Sequence, residues 1–211
     1  MDEPPSSEDE GSRPLRPQSG EGFDRLYSGT PPWDIGRPQP SFLHLAQTGA
    51  LRGRVLDVGC GTGEQALMAA SLGLKATGID AAPTAIELAK RKAEDRGLEA
   101  RFFVWDALDL PDLGEQFDTV LDSGLFHVFE DDDRSRFVES LSAAIAPNGR
   151  YYMLCFSDRQ PGDWGPRRVS QDEIRSSFAD GWRVELIEAA TMDITISPEG
   201  VRAWLSIIAR A

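Results

Sequence analysis

From Leu51 onward, short apolar runs alternate with segments whose apolar positions recur every three or four residues, the signature of strands and amphipathic helices in turn. The runs at 55–58, 75–79, 101–105, 117–121 and 151–156 predict five strands. Between them, 64–72, 83–96 and 133–146 predict helices. The second carries Pro83 in its first turn and Ile86, Ala89 and Ala93 on one face, and Gly97 ends it. The third places Phe137, Leu141 and Ile145 on one face and stops at Pro147-Asn148-Gly149. A short helix over 171–178 is capped by Ser170, and 182–189 with 201–209 reads as a terminal antiparallel pair. Strand and helix in alternation predict an α/β fold on a mostly parallel sheet.

The residues before Leu51 follow no such pattern. Positions 1–22 are rich in Pro, Ser, Gly and acid, with Leu15 their only large aliphatic residue after Met1. So little apolar surface does not offset the entropy of ordering, and a disordered acidic tail is expected. Residues 23–49 read as an N-terminal arm. Phe23 to Tyr27 opens a short helix, and the four prolines at 31, 32, 38 and 40 exclude regular helix or central strand around Trp33. Ser41 is placed to cap a helix carrying Phe42, Leu43, Leu45 and Ala46. Residues 50–211 form the main domain.

Composition narrows the function. A chain of 211 residues supports one domain with a sizeable core. A net charge of −13 argues against nucleic acid as a partner. No apolar run reaches the roughly 18 residues of a membrane span, and the acidic N-terminus has no apolar signal region. Cys60 and Cys155 imply no disulfide framework, so a cytoplasmic protein, monomer or homodimer, with no membrane partner is expected. The two histidines, His44 and His127, and the two cysteines show no metal-ligand spacing, and no metal is expected.

The candidate chemistry gathers where strands end. The first strand runs into Asp57-Val58-Gly59-Cys60-Gly61-Thr62-Gly63. Glycines here tolerate positive φ and let a ligand approach the backbone. A phosphate-binding turn reads G-x-G-x-x-G, whereas this one carries a carboxylate two residues before its first glycine, which repels phosphate and attracts an ammonium group. Asp80-Ala81 ends the second strand, about 20 residues beyond the loop, where an acid accepts the hydroxyls of a ribose. Asp106-Ala107 follows the third strand and Asp122-Ser123-Gly124-Leu125-Phe126-His127 the fourth.

Together these motifs resemble the class I S-adenosylmethionine-dependent methyltransferases, from about Gly53 to Arg210. The resemblance implies a Rossmann-like sheet of seven strands, helices on both faces and a C-terminal antiparallel hairpin. It implies S-adenosylmethionine as cofactor and S-adenosylhomocysteine as product. Asp57, Gly59, Cys60, Gly61 and Gly63 would hold the methionine end, Asp80 and Ala81 the ribose, Asp106 and Ala107 the adenine, with Asp122 completing the set. Within the family, Pro32-Trp33-Asp34-Ile35-Gly36-Arg37 is similar to the arm of thiol, halide and thiopurine methyltransferases. Asp122 to His127, with Cys155-Phe156-Ser157, is similar to bacterial methyltransferases acting on small heterocyclic toxins. A small, apolar or heteroaromatic methyl acceptor follows from that likeness.

Several residues keep two readings. Trp33 either covers the cofactor and substrate, with its ring facing a sulfonium, or packs the arm onto the domain. Arg37 either meets the cofactor carboxylate or makes a surface ion pair. His127 is the candidate general base, with an unperturbed pKa near 6.5, or else a support of the pocket. Phe126, Phe156 and Trp164 are candidate walls for a flat acceptor, and Trp164 equally an anchor for its loop. Residues 130–133, Glu-Asp-Asp-Asp, fit a helix start better than a metal site. Two alternative functions stay open: methylation of RNA or protein, and an inactive cofactor-binding scaffold.

Overall fold

In the computed structural model, which describes residues 20–211, the strands are β1 (Arg54–Val58), β2 (Lys75–Asp80), β3 (Ala100–Val104), β4 (Phe117–Ser123), β5 (Ile145–Phe156), β6 (Trp182–Ile194) and β7 (Ser197–Arg210). The helices are α1 (Gly20–Leu26), α2 (Pro40–Gln47), α3 (Glu64–Ser71), α4 (Pro83–Arg96), α5 (Asp131–Ala144) and α6 (Gln171–Ser177). The strands form one seven-stranded sheet in the order β3-β2-β1-β4-β5-β7-β6. Only β7 runs antiparallel to its neighbours β5 and β6. The expected mostly parallel sheet with a closing hairpin is present.

The uninterrupted apolar runs arise because both sheet faces are covered. Along β5, Tyr151, Met153 and Cys155 enter the layer with Phe137 and Leu141 of α5 and Ile174 of α6. Tyr152, Leu154 and Phe156 enter the opposite layer, with Phe42 of α2, Leu67 of α3 and Ile86 of α4. A fully buried side chain of this size contributes about 1.5–3 kcal/mol, so each face needs its helices. The chain order reverses between β1 and β4, and a parallel sheet opens a crevice beyond the strand ends at such a point.

Differences from the sequence reading have local causes. α2 starts at Pro40 behind Gln39, not behind Ser41, because proline fits the first turn and supplies a helical φ. α5 begins at Asp131, drawing three acids into its positive end. The expected stop at 147–149 is instead an irregularity inside β5: pairing with β4 slips between Phe117↔Ile145 and Thr119↔Arg150, with Asn148 at φ 61°. β6 and β7 extend to Ile194 and from Ser197, well past the predicted hairpin. β3 ends at Val104, and short 3-10 turns over Ala107–Leu113 and Phe126–Val128 were not foreseen. The tail expectation lies outside the described residues up to position 19. Its last part, from Gly20, is already the first turn of α1.

The candidate cofactor site and its arm

Every strand end in the crevice carries an aspartate whose oxygens first serve the backbone. Gly63 precedes α3 without a side-chain cap, and Asp57 fills that role from β1: Oδ2 accepts from Ala66 N at 3.0 Å. Asp57 is fully buried, and Oδ1 has no hydrogen-bond partner. Burial pushes its pKa up to about 8; the Ala66 N–H works the other way, and Asp122, Asp80 and Glu64 add to the rise. Asp80 accepts from Ala82 N at 2.9 Å and from Gly61 N at 2.8 Å, which fixes the glycine turn against β2. Burial raises its pKa as well, against those two N–H groups. Asp106 is exposed and caps its 3-10 turn through Leu108 N at 2.9 Å, with Ala107 buried beneath and Ala81 exposed. Asp122 is fully buried and accepts from Leu125 N (2.7 Å), Phe126 N (3.0 Å) and the Tyr151 hydroxyl. Burial carries its pKa to about 6 despite these donors, with Tyr151 the strongest opposing one.

The glycine turn is shaped by close approach. A Cβ on Gly63 (φ 84°) would stand 2.7 Å from the Phe102 ring and 2.9 Å from Ala89. One on Gly61 would stand 2.8 Å from the Tyr27 hydroxyl. That hydroxyl belongs to the arm, so the arm reaches the loop at Gly61. Cys60 lies buried between, its N–H donating to Ile79 O at 2.8 Å and its thiol pushed up by burial.

Three groups of contacts fasten the arm to the domain. Asp24 of α1 accepts from Thr84 N at 2.7 Å, capping α4. Asp34 accepts from the Thr62 hydroxyl at 2.9 Å, on the glycine loop itself. Gln39, buried, pairs with the backbone of Asp193 in β6 like a short strand: Nε2 donates to its carbonyl at 2.9 Å and Oε1 accepts its N–H at 2.8 Å. Thr195 N–H donating to Pro32 O at 2.8 Å extends that attachment. Trp33 stands at the centre, donating through Nε1 to the Tyr27 hydroxyl at 3.0 Å, with the Phe23 ring edge-on at 6.0 Å. Between arm and loop lies a cleft bounded by Tyr27, Trp33, Asp34, Gly59, Gly61 and Ser123 among others.

The chain is 40% identical over 176 residues to 2-heptyl-1-hydroxyquinolin-4(1H)-one methyltransferase of Mycobacteroides abscessus, which covers 82% of this chain and 77% of that protein. Residues 55–149 match the family model described as a methyltransferase domain. The chain belongs to the class I S-adenosylmethionine-dependent methyltransferases. It is also 30% identical over 177 residues to probable thiol methyltransferase 2 of Arabidopsis thaliana, covering 80% of this chain and 76% of that one. A solved structure described for the conversion of a disulfide bond into a thioacetal group during echinomycin biosynthesis is similar at a TM-score of 0.82 and 41% identity, covering 90% and 92% of the two chains.

The residues at the crevice suit the cofactor of this family. The cleft is lined by the Asp34 and Glu64 carboxylates and the backbone of Gly59 and Gly61; Glu64 is already paired with Lys92 and Arg96, so Asp34 is the carboxylate that a cationic ligand would meet. Asp57 lies below the loop with Oδ1 unpartnered, and because burial pushes its pKa up to about 8 it is largely protonated near neutral pH and shapes the loop rather than the charge of the cleft. Not every expected site residue lines this cleft. Asp57 and Asp122 lie beneath it. Phe126 is fully buried in the core, stacked near Phe178 with the Arg134 guanidinium 4.5 Å from its ring centre. Arg37 borders the cleft but pairs with Asp193 at 2.6 Å, which is the ion-pair reading. His44 is an exposed position of α2.

On the far side of Ser123 the structure gathers His127, Phe156, Trp164 and Met192. The His127 and Phe156 rings meet edge-on at 5.0 Å, and Phe156 and Trp164 at 6.0 Å. A Cβ on Gly124 would contact His127 Nε2 at 3.2 Å and Met192 Cε at 3.6 Å. His127 Nδ1 accepts from Phe156 N at 2.9 Å, which assigns the ring hydrogen of the neutral form to Nε2. Arg168 lies over both Phe156 and Trp164 and donates to Trp164 O at 2.8 Å, so Trp164 also anchors its loop. Among the described residues no group of His, Cys, Asp and Glu could hold a metal, and no helix is long and apolar enough to cross a membrane. Sequence reasoning missed Tyr27, Asp34 as an acid bordering the cleft, Gln39, Thr62 and Met192. Only Asp34 carried a signal, inside the Pro-Trp-Asp motif.

Proposed function

We propose that this methyltransferase transfers the methyl group of S-adenosylmethionine to a small, flat, largely apolar acceptor through sulfur, oxygen or nitrogen, with a hydroxyquinolone-like heterocycle or an aromatic thiol as the best candidates. The observation that carries this is the 40% identity to the heptyl-hydroxyquinolinone enzyme over a stretch too long to be the cofactor core alone. The aromatic group of His127, Phe156 and Trp164 beside Ser123 supports it, as such walls bind flat rings. The net charge of −13 argues against RNA as acceptor.

When bound, S-adenosylmethionine supplies an electrophilic sulfonium methyl group. The protein's task is then alignment and exclusion of water, and holding two reactants in near-attack geometry lowers a barrier by about 7–11 kcal/mol. The turn at 59–63 would receive the methionine end through its backbone, Asp80 the ribose, and Asp106 with Ala107 the adenine. Asp57 and Asp122 would act from below by holding the loops in shape. Trp33, clamped by Tyr27, would close the cleft from above and face the positive centre. His127, its Nδ1 engaged by the Phe156 N–H, would position the acceptor as a hydrogen-bond donor through Nε2, and the acceptor would enter ionised. The enzyme is cytoplasmic, and works without a metal or a nucleic-acid partner.

Calorimetric titration with S-adenosylmethionine, followed by turnover on hydroxyquinolones, phenols and thiols, tests this reading. Absence of cofactor binding by the wild type refutes the site, and turnover confined to RNA or protein refutes the acceptor class.

A further inference from the structure

Lys92 lies on α4, outside every motif of the sequence, yet its ammonium group is the meeting point of arm and cofactor loop. Nζ stands 2.6 Å from Thr62 Oγ1, 2.8 Å from Glu64 Oε1 and 3.8 Å from Asp34 Oδ1. The Thr62 hydroxyl in turn donates to Asp34 Oδ1 at 2.9 Å. The direction of these bonds is fixed by chemistry. An ammonium group only donates, so Thr62 accepts from Lys92 and its single hydrogen is committed to Asp34. The chain Lys92→Thr62→Asp34 therefore runs one way, from the domain, through the glycine turn, into the arm next to Trp33.

We propose that Lys92 is a positioning residue for cofactor binding: through Thr62 it orders the glycine turn and holds Asp34, and with it Trp33, over the cleft. This rests on the assignment of the cleft to S-adenosylmethionine. Lys92 is well placed to do this without being needed for the fold. Glu64 is nearly buried but keeps a bidentate pair with Arg96, both bonds 2.8 Å, when Lys92 is removed. Burial disfavours the Glu64 charge, yet Arg96 and Lys92 outweigh it and hold its carboxyl below the usual range. Lys92 is also only half-buried, which tolerates an apolar side chain. The arm's other attachments, Asp24 to Thr84 and Gln39 to Asp193, do not involve it. Loss of Lys92 is thus expected to loosen one contact of a strap that stays tethered at both ends.

The test is a double-mutant cycle on the full chain, read by calorimetric titration with S-adenosylmethionine and by steady-state turnover. Coupling between groups in one network spans a range that makes about a tenfold rise in cofactor Kd and KM the expected effect of Lys92→Met. The value of kcat at saturating cofactor should stay within about threefold, because the acceptor walls are untouched. Thr62→Val, which keeps the shape and removes the relay hydroxyl, should give a similar loss. Combining Lys92→Met with Asp34→Asn should add little to either single change, and Lys92→Arg should restore most of the affinity. Independent, additive effects of Lys92 and Asp34, or a Lys92→Met variant that binds cofactor like the wild type, would overturn the proposal. So would a fall in melting temperature with kcat and KM unchanged, which marks a merely structural lysine. A wild type that binds no S-adenosylmethionine would instead refute the cofactor assignment, leaving the two failures distinct.

Discussion

Asp57→Asn offers the sharpest test of how the loop is built. In the unfolded chain Asp57 titrates near 3.8, and in the folded protein burial carries it to about 8. Between those values the folded state holds a proton that the unfolded state has released. Stability rises with pH only where the unfolded state binds more protons, so here the sign is reversed. The contribution is most favourable below pH 4, declines as pH rises and reaches its full loss above pH 8. At about 1.4 kcal/mol per pKa unit the loss amounts to as much as about 6 kcal/mol, a large part of the 5–15 kcal/mol typical of a domain. Asp122, raised to about 6, adds a loss of the same sign that is complete at lower pH. Glu64 and Glu173, whose pKa values are lowered, change only below the usual carboxylate range and leave the window from pH 5.5 to 8.5 alone. Asparagine keeps the oxygen that accepts from Ala66 and carries no charge. Urea unfolding at pH 5.5, 7 and 8.5 should show wild-type stability falling with pH. Asp57→Asn should fall much less and exceed the wild type at pH 8.5. Parallel pH slopes in the two proteins would refute the buried-carboxylate account.

Four further outcomes are expected. Gly63→Ala forces a methyl group into Phe102 and Ala89 in a left-handed conformation, at a cost of about 2–4 kcal/mol by thermal unfolding. Tyr151→Phe removes one of three donors from buried Asp122 and should lower stability by about 1–3 kcal/mol in urea titrations. Trp33→Ala, if the ring faces the sulfonium, weakens cofactor binding by about 2- to 30-fold in calorimetry, with little change in the unfolding midpoint. Gln39→Ala breaks the paired bonds to Asp193, so chymotrypsin should cut after Trp33 in the arm faster in the variant than in the wild type, and cofactor should protect less.

The fold was legible because period and punctuation agree with it. The apolar runs of β1, β2, β4 and β5 are buried on both faces, and Gly97 and the Ser170–Glu173 capping box end or start helices as their chemistry demands. Misreadings fall where local signals mislead. Pro147-Asn148-Gly149 has turn chemistry, but pairing with β4 resumes beyond it, so the strand continues across an irregularity. The sequence understates the hairpin because Thr191 to Ile194 and Ser197 to Gly200 lack a continuous apolar pattern, while β6 is an edge strand with one neighbour. The arm was legible as irregular but not as fastened. Gln39 and Lys92 are polar residues with nothing local to distinguish them, and their partners lie 154 and 30 positions away.

The strand-end aspartates explain why a sequence can announce this site without locating its contacts. Each parallel strand that turns into a helix leaves backbone N–H groups without partners, and a short acid at the turn satisfies them. Asp57, Asp80, Asp106 and Asp122 all do so, through Ala66, Gly61 and Ala82, Leu108, and Leu125 with Phe126. The helix-cap reading and the ligand reading are therefore not rivals. A carboxylate accepts about four hydrogen bonds, so the half-buried Asp80 and the exposed Asp106 retain capacity for a ligand after capping. Asp57 and Asp122, fully buried, act on a ligand through the loops they hold. The acid that borders the cleft and carries no helix is Asp34, supplied by the arm and secured by Thr62 and Lys92. On the proposed reading, cofactor specificity would be divided: the sheet supplies a loop shaped by buried acids, and the arm would bring the acid and the aromatic face that close over it.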